Sequence, residues 1–178
     1  MAEIDILTRI ALHTAKRVEK FKRELPVRAL RERQAYKRKP RPFIDAFVGN
    51  SAPAVIAEIK FASPSEGFLR EDRKPSSEEA VRIAGSYLNA GAAALSILTE
   101  RNFFAGDPEF LSAVRAAHPD ALLLMKDFFI DPYQFELARA CGADCVLLIA
   151  ALSGTELKTK LAEATALGLS VLVEAHNE

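Results

Sequence analysis

Four charged side chains stand at the ends of short apolar runs, where they could carry acid and base chemistry. The first run leads into Glu58 and Lys60, the third into Lys126 and the fifth into Glu174. Because side chains alternate across a β-strand, Glu58 and Lys60 are predicted to share one face of the sheet. Two lysines and two glutamates at the same end of a sheet can act on each other as general acid and general base. The pattern predicts a site for proton transfer around a carbonyl group.

Two interpretations of the four charged side chains are open. Charges at strand ends also pair simply to compensate one another, so a structural ion-pair network is the alternative to a catalytic site. The occurrence of all four charges on three strands, with the same polarity and depth, favours the catalytic interpretation. Four aromatic residues in the loops after the second and third runs could together form a wall for a flat ring, although packing is the preferred explanation for any single one of them; they are Phe103, Phe104, Phe128 and Phe129.

The apolar runs indicate the elements that position these groups. Each run is short and apolar on both faces, as expected of a parallel strand buried between two layers. The runs cover residues 54–57, 93–98, 121–125, 145–149 and 170–173. Helix start signals lie between them: Ser76 with Glu79, Asp107 with Pro108, Asp131 with Pro132, and Ser153 with Glu156.

Strand and helix alternate with a period of roughly 25 residues, which indicates a repeated βα unit. Such units build either a doubly wound sheet or a (β/α)8 TIM barrel. No G-x-G-x-x-G motif follows the first run, which disfavours a dinucleotide-binding sheet. The predicted fold is α/β, an incomplete TIM barrel of about five parallel strands preceded by an N-terminal helical extension. We expect the extension at residues 1–48 and the partial barrel at residues 49–178.

Charge is distributed unevenly along a chain that is neutral overall. Residues 1–41 hold 13 Lys and Arg against 5 Asp and Glu, a net +8, and the remainder holds 11 against 19, a net −8. The preferred interpretation is that a basic helical face packs on the protein's own acidic domain. Nucleic-acid binding is the weaker alternative, because Tyr36 alone could stack on a base within the basic cluster at residues 31–41.

Length and composition exclude several classes of protein. With 178 residues, of which 49% are apolar, the chain can form one globular domain or most of a larger one. It has neither an apolar run long enough to span a membrane nor the apolar segment of a signal peptide. Cys141 and Cys145 form neither a disulfide framework nor a good metal site. We therefore expect a cytoplasmic protein without metal, membrane or nucleic-acid partners.

The motifs around the four charges resemble indole-3-glycerol phosphate synthase. The similarity runs in register from about residue 4 to the last residue and covers about five of the eight βα units of that family. Its most specific motifs are E-I-K-x-A-S-P-S, which begins at Glu58, and K-D-F-x-I-D-P-Y-Q, which begins at Lys126. The basic N-terminal segment also resembles the extension that lies over the barrel mouth in this family and helps to hold the substrate.

This resemblance implies a lyase of tryptophan biosynthesis. The reaction closes 1-(2-carboxyphenylamino)-1-deoxyribulose 5-phosphate to indole-3-glycerol phosphate, with loss of carbon dioxide and water. The partner is a small phosphorylated substrate, and the family needs no cofactor.

The resemblance also implies a role for each predicted site residue. Lys126 is implied to be the general acid that protonates the ribulose carbonyl, and Lys60 is implied to hold the substrate carboxylate and to assist the acid chemistry. Glu174 is implied to be the general base of the dehydration, and Glu58 is implied to orient the two lysines. Further residues implied to contact the substrate, the last three around the anthranilate ring, are Ser63, Phe104, Phe128 and Leu147.

Two features depart from the family pattern. Phe61 stands where the family usually has Lys or Arg, and the given sequence stops at Glu178, just after the fifth strand. In the family, later strands bring an Asn and a Ser-Gly to the site, and later loops bring the amides that hold the phosphate. We therefore expect the N-terminal portion of such an enzyme, with the acid and base half of the site but not the phosphate half. The alternative is a catalytically incompetent half-barrel that self-associates or takes a complementary chain through its open sheet edges.

Overall fold

A parallel sheet of five strands forms the centre of the computed structural model, which describes residues 5–48, 53–69 and 74–175. His176, noted beside Glu174 in the sequence, lies outside these residues. A two-stranded antiparallel hairpin, β2 with β3, follows the first strand. In chain order the strands are β1 (Ile56–Ile59), β2 (Ala62–Ser63), β3 (Gly67–Phe68), β4 (Ala94–Leu98), β5 (Leu123–Lys126), β6 (Cys145–Ile149) and β7 (Ser170–Glu174).

The sheet order is β1-β4-β5-β6-β7, so each parallel strand lies beside the next one in the chain. This stepwise order is that of a barrel, and it confirms the prediction of five parallel strands. Strand β1 begins and ends two residues later than the predicted apolar run, so Glu58 lies within the strand. The difference arises because pairing, which joins Ile56 to Ala94 and Ile59 to Ile97, sets strand bounds that composition does not reveal.

Helices connect successive strands and also form the N-terminal extension. Two turns of 3-10 helix, Phe43–Ala46 and Gly154–Glu156, complete the set within the described residues. The α-helices are α1 (Ile6–Glu24), α2 (Val27–Glu32), α3 (Gln34–Lys37), α4 (Ser77–Asn89), α5 (Pro108–Ala117), α6 (Tyr133–Cys141), α7 (Ala150–Ser153) and α8 (Leu157–Ala166).

Three of the four helix start signals are confirmed. Side-chain oxygens of Ser76, Asp107 and Asp131 accept hydrogen bonds from backbone N–H groups in the first turns of α4, α5 and α6. The fourth signal was wrong, because Ser153 ends α7 and its hydroxyl caps no helix. Gly154, in a left-handed conformation that glycine adopts readily, ends α7 instead, and α8 begins only at Leu157.

Alternation along the strands divides the apolar residues into two layers. Ile59, Ile97 and Met125 belong to the layer between the sheet and the helices. Ala94, Leu124 and their neighbours belong to a second layer on the opposite, interior face. The interior layer comprises Phe43, Ala94, Leu122, Leu124, Cys145, Leu147 and Ile149. Glu58 alternates with Ile59 and therefore shares the interior face, as the sequence predicts.

The basic N-terminal helices dock on the acidic sheet and helices through ion pairs. Buried Asp144, just before β6, accepts hydrogen bonds from Arg38 at 2.7 Å and from Arg115 at 2.6 Å. It also accepts from the backbone N–H of Arg41 at 2.8 Å. Within the described residues, the other pairs between the extension and the rest of the chain are Arg17 with Asp127 and with Glu100, Lys22 with Asp131, Arg31 with Glu136, and Arg33 with Glu109.

The contact between Arg31 and Glu136 makes the docking of the extension depend on pH. The Arg31 guanidinium, with a smaller contribution from Tyr36, holds the pKa of Glu136 below its usual value. A lowered folded pKa stabilises the fold above the unfolded pKa, and this contribution is lost as pH falls through the folded pKa. We expect Glu136→Gln to weaken the pH dependence of the urea midpoint between pH 7 and pH 3. Glu24→Gln, which removes an exposed carboxylate paired within α1, is the control; equal pH profiles for the two variants would contradict the expectation.

Candidate active site

One cavity of about 330 Å³ opens at the carboxyl ends of the strands, where sites in parallel α/β folds lie. The structure brings seven of the eight predicted site residues to its wall. These are Glu58, Lys60, Phe104, Lys126, Phe128, Leu147 and Glu174. Five residues without a predicted role complete the lining: Leu7, Leu98, Asp127, Ile149 and Ala151.

Glu58 links the two lysines at the cavity rim. Its two carboxylate oxygens lie 3.4 Å from Lys60 Nζ and 3.2 Å from Lys126 Nζ. The side chain of Glu58 is 31% exposed, so its charge is partly removed from water and its ion pairs are less screened than surface pairs. Glu174, at the end of β7, faces the same cavity from another strand. The arrangement supplies ammonium donors and carboxylate acceptors around one small ligand.

Apolar and aromatic side chains form the remaining wall. The rings of Phe104 and Phe128 have centroids 5.9 Å apart and planes inclined at 33°. Leu147 lies on the same interior face. The other two loop phenylalanines pack elsewhere. Phe103 packs edge-on against His13 of α1, and Phe129 is buried and stacks on Phe135. Two of the four therefore fit the predicted wall for a flat ring.

Ser63 does not line the cavity. It lies in β2, where its hydroxyl accepts a hydrogen bond from the backbone N–H of Glu66 at 3.2 Å. The hairpin is joined to the cavity wall because Ala62 N–H donates to the carbonyl of Phe104 at 3.2 Å. Ser63 is thus near an aromatic residue of the site without facing the ligand space.

Asp127 forms several hydrogen bonds at the cavity rim, although no role was predicted for it from the sequence. This buried carboxylate accepts from the Thr99 hydroxyl at 2.6 Å, from Arg17 of α1 at 2.6 Å, and from the N–H of Phe128 at 2.8 Å. It therefore connects the ends of β4 and β5 with the extension. Its signal in the sequence was an acidic residue directly after a strand, adjacent to Lys126.

Glu100 shapes the loop that carries Phe104. The buried carboxylate accepts from the N–H groups of Asn102, Phe103 and Phe104 at 3.0, 2.7 and 3.2 Å. A carboxylate that receives three backbone donors holds the loop in one conformation, because each donor would otherwise lose its partner. The sequence offered only the position of Glu100, two residues after an apolar run.

The described residues contain no group of three or more His, Cys, Asp and Glu side chains placed to hold a metal ion. Within the same residues, no helix is both long enough and apolar enough to cross a lipid bilayer.

A stepwise parallel βα sheet with a charged, aromatic-walled cavity at its strand ends is typical of TIM-barrel enzymes. The chain belongs to the indole-3-glycerol phosphate synthase family, whose model matches residues 7–178. This family forms TIM barrels, and the five parallel strands are consistent with a partial barrel of that type.

Three relatives support the assignment, and each is named indole-3-glycerol phosphate synthase. The protein of Dechloromonas aromatica is 44% identical over 97% of this chain and 65% of its own length. That of Rippkaea orientalis is 43% identical over 97% of this chain and 57% of its own length. That of Neisseria meningitidis serogroup B is 45% identical over 98% of this chain and 66% of its own length. The chain thus spans between 57% and 66% of the length of these relatives.

The pair of Arg17 with Asp127 is expected to stabilise the extension against the rim far more than an exposed pair does. Arg17 is 10% exposed, so its removal leaves the buried carboxylate of Asp127 without its cation, at a typical cost of about 3 to 5 kcal/mol. We expect Arg17→Met to lower the free energy of unfolding by about that amount in urea titrations. Arg28→Met, which removes a 93% exposed arginine of α2, is expected to have no measurable effect. Similar losses for both variants would refute this account.

Proposed function

We propose that the chain carries the acid and base machinery of an indole-3-glycerol phosphate synthase and acts on 1-(2-carboxyphenylamino)-1-deoxyribulose 5-phosphate. The supporting observation is the convergence of Lys60, Lys126, Glu58 and Glu174 on one cavity whose lining also includes two aromatic rings. Family membership and the names of the relatives support the same reaction.

The proposed sequence begins with the formation of a carbon–carbon bond. An aromatic carbon of the anthranilate ring attacks the ribulose carbonyl, and the Lys126 ammonium gives a proton to the oxygen that acquires charge. Lys60 pairs with the substrate carboxylate until carbon dioxide leaves. Both lysines lie within 3.4 Å of Glu58, which holds them on one side of the ligand space.

The second half of the proposed reaction is a dehydration. The hydroxyl formed in the first step leaves as water with a proton from the Lys60 ammonium, and Glu174 accepts the proton lost from the adjacent ring carbon as the indole double bond forms. Phe104, Phe128 and Leu147 pack against the flat ring, because the apolar wall can bury it at little desolvation cost.

The extension is proposed to belong to the site and to end near residue 48, with the barrel portion following from residue 49. Leu7 of α1 lines the cavity, and Arg17 anchors the same helix to Asp127 at its rim. Ser63 is proposed to act from the neighbouring hairpin. We also propose that the phosphate is held by groups outside this cavity, because the two lysines in its wall are assigned to the substrate carboxylate and carbonyl. A cytoplasmic location is proposed from the biosynthetic role.

Substitution of Lys126 tests the acid role. We expect Lys126→Met to lower turnover of the substrate by about 10²- to 10⁴-fold, the usual contribution of a general acid. The assay follows the appearance of the indole product, and Lys20→Met, which removes an exposed lysine of α1, serves as the control. A loss of less than about tenfold for Lys126→Met would exclude the acid role.

The open sheet edges favour a second proposal, that of a half-barrel which self-associates or takes a complementary chain. Within the described residues, β1 and β7 each pair with one neighbour only. Val55 and Ile56 beside the first edge and Leu172 and Val173 on the last are exposed apolar residues. Exposed apolar edges are templates for further strands.

Measurement of the molar mass by light scattering tests whether the chain self-associates through its open sheet edges. We expect the wild-type chain to form dimers or larger species at micromolar concentration, and Val173→Lys to shift it toward the monomer by charging the edge. Leu12→Lys, which charges an exposed apolar residue of α1 away from the edges, is the control. A wild-type chain that remains monomeric with a cooperative unfolding transition would disprove self-association.

A further inference from the structure

A buried hydroxyl next to the proposed site has no hydrogen-bond partner in the described part of the protein. Ser96, in the middle of β4, is 4% exposed, and its Oγ is unpaired. An unpaired buried hydroxyl destabilises a fold, so its presence calls for a physical reason. Ser153 has the same burial and the same unpaired state at the end of α7, and it therefore offers a matched comparison.

The strand register places Ser96 directly beside Glu58. Ser96 pairs with Glu58 of β1 on one side and with Leu124 of β5 on the other. Paired residues of neighbouring parallel strands lie about 5 Å apart on the same face. Ala94 and Leu98, two residues before and after Ser96, lie in the interior layer and the cavity wall, so Ser96 shares that face. Of its two cross-strand neighbours, only Glu58 can accept a hydrogen bond.

Glu58 forms ion pairs with Lys60 and Lys126, and in the proposed function both lysines contact the substrate. A lysine that turns toward a substrate carboxylate or carbonyl oxygen leaves Glu58, whose side chain is only 31% exposed. A partly buried carboxylate that loses a cation needs another donor. The Ser96 hydroxyl is the neighbouring donor that is free to respond.

We propose that Ser96 is a positioning residue that donates its hydroxyl to Glu58 when an anionic ligand draws Lys60 or Lys126 away. The hydroxyl is unpaired while both lysines contact Glu58, and it becomes paired once one of them leaves. Glu58 thereby keeps its place at the rim through a reaction cycle and can take the lysine back afterwards. The inference rests on the proposed function for its catalytic meaning, but the contact itself can be tested without turnover.

Urea unfolding of the whole chain tests the contact, because the effect of Ser96→Ala on the urea midpoint is expected to differ in sign between two backgrounds. In the wild-type background, Ser96→Ala is expected to leave the urea midpoint unchanged or to raise it, because an unpaired hydroxyl is removed. In the Lys60→Met/Lys126→Met background, Glu58 has lost both cations, and Ser96→Ala is expected to lower the midpoint. Each lysine is about one third exposed, which favours folding of this background; Lys60→Met alone replaces it if the double variant does not fold.

Ser153→Ala is the control in both backgrounds. It removes an equally buried, unpaired hydroxyl that has no strand pairing to Glu58, so its shift is expected to be the same with and without the lysines. If Ser96→Ala shifts the midpoint equally in the two backgrounds, as Ser153→Ala does, the proposal is overturned.

The kinetics of substrate turnover, measured on a preparation of the protein that is active, supply a second, separate readout. Ser96→Ala is expected to lower kcat by about tenfold and to leave KM within about twofold, because the hydroxyl acts after the substrate has engaged the lysines. An unchanged kcat together with the sign change would leave the contact standing and remove its role in the reaction. If Lys126→Met shows that the proposed function is wrong, the urea experiment still decides for or against the contact between Ser96 and Glu58.

Discussion

Two buried carboxylates determine how the N-terminal helices attach to the sheet. Asp127 lies after β5 and Asp144 before β6, and each accepts from an arginine of the extension and from groups of the barrel portion. A buried carboxylate without a cation is costly, so the basic character of residues 1–41 compensates charges that lie within the sheet and its helices. Removal of the extension would leave Asp127 without the cation that Arg17 supplies.

The same constraint explains why the charged rim is at one end of the sheet. The residues of the interior layer below the rim, from Ala94 and Leu124 to Leu147, are apolar and carry no group that could compensate a charge. Glu58 of β1 and Lys126 of β5 therefore occupy strand ends at which their side chains meet across the intervening strand β4 and form an ion pair. An apolar floor with mutually paired charges above it places ammonium and carboxylate groups around one ligand space.

Sequence reasoning reached the fold and most of the candidate site for identifiable reasons. Apolar runs, first-turn prolines and capping residues are local signals, and they predicted the five strands and three helix starts. Alternation predicted that Glu58 lies on the interior face. The Ser153 signal failed because a local capping pattern does not show that Gly154 ends a short preceding helix. Ser63 lies beside the cavity and not in its wall, because in the hairpin after β1 its hydroxyl accepts a hydrogen bond from the backbone N–H of Glu66.

The sequence by itself determined which residue types stand at the strand ends and which face of each strand they share, because alternation and helical periodicity are properties of the local backbone. Only the tertiary structure decided which charges pair. Arg17 and Asp127 are separated by 110 residues, and Ser96 lies beside Glu58 through strand register. Such contacts depend on how distant elements pack in three dimensions, and no local pattern specifies the partner of a particular side chain.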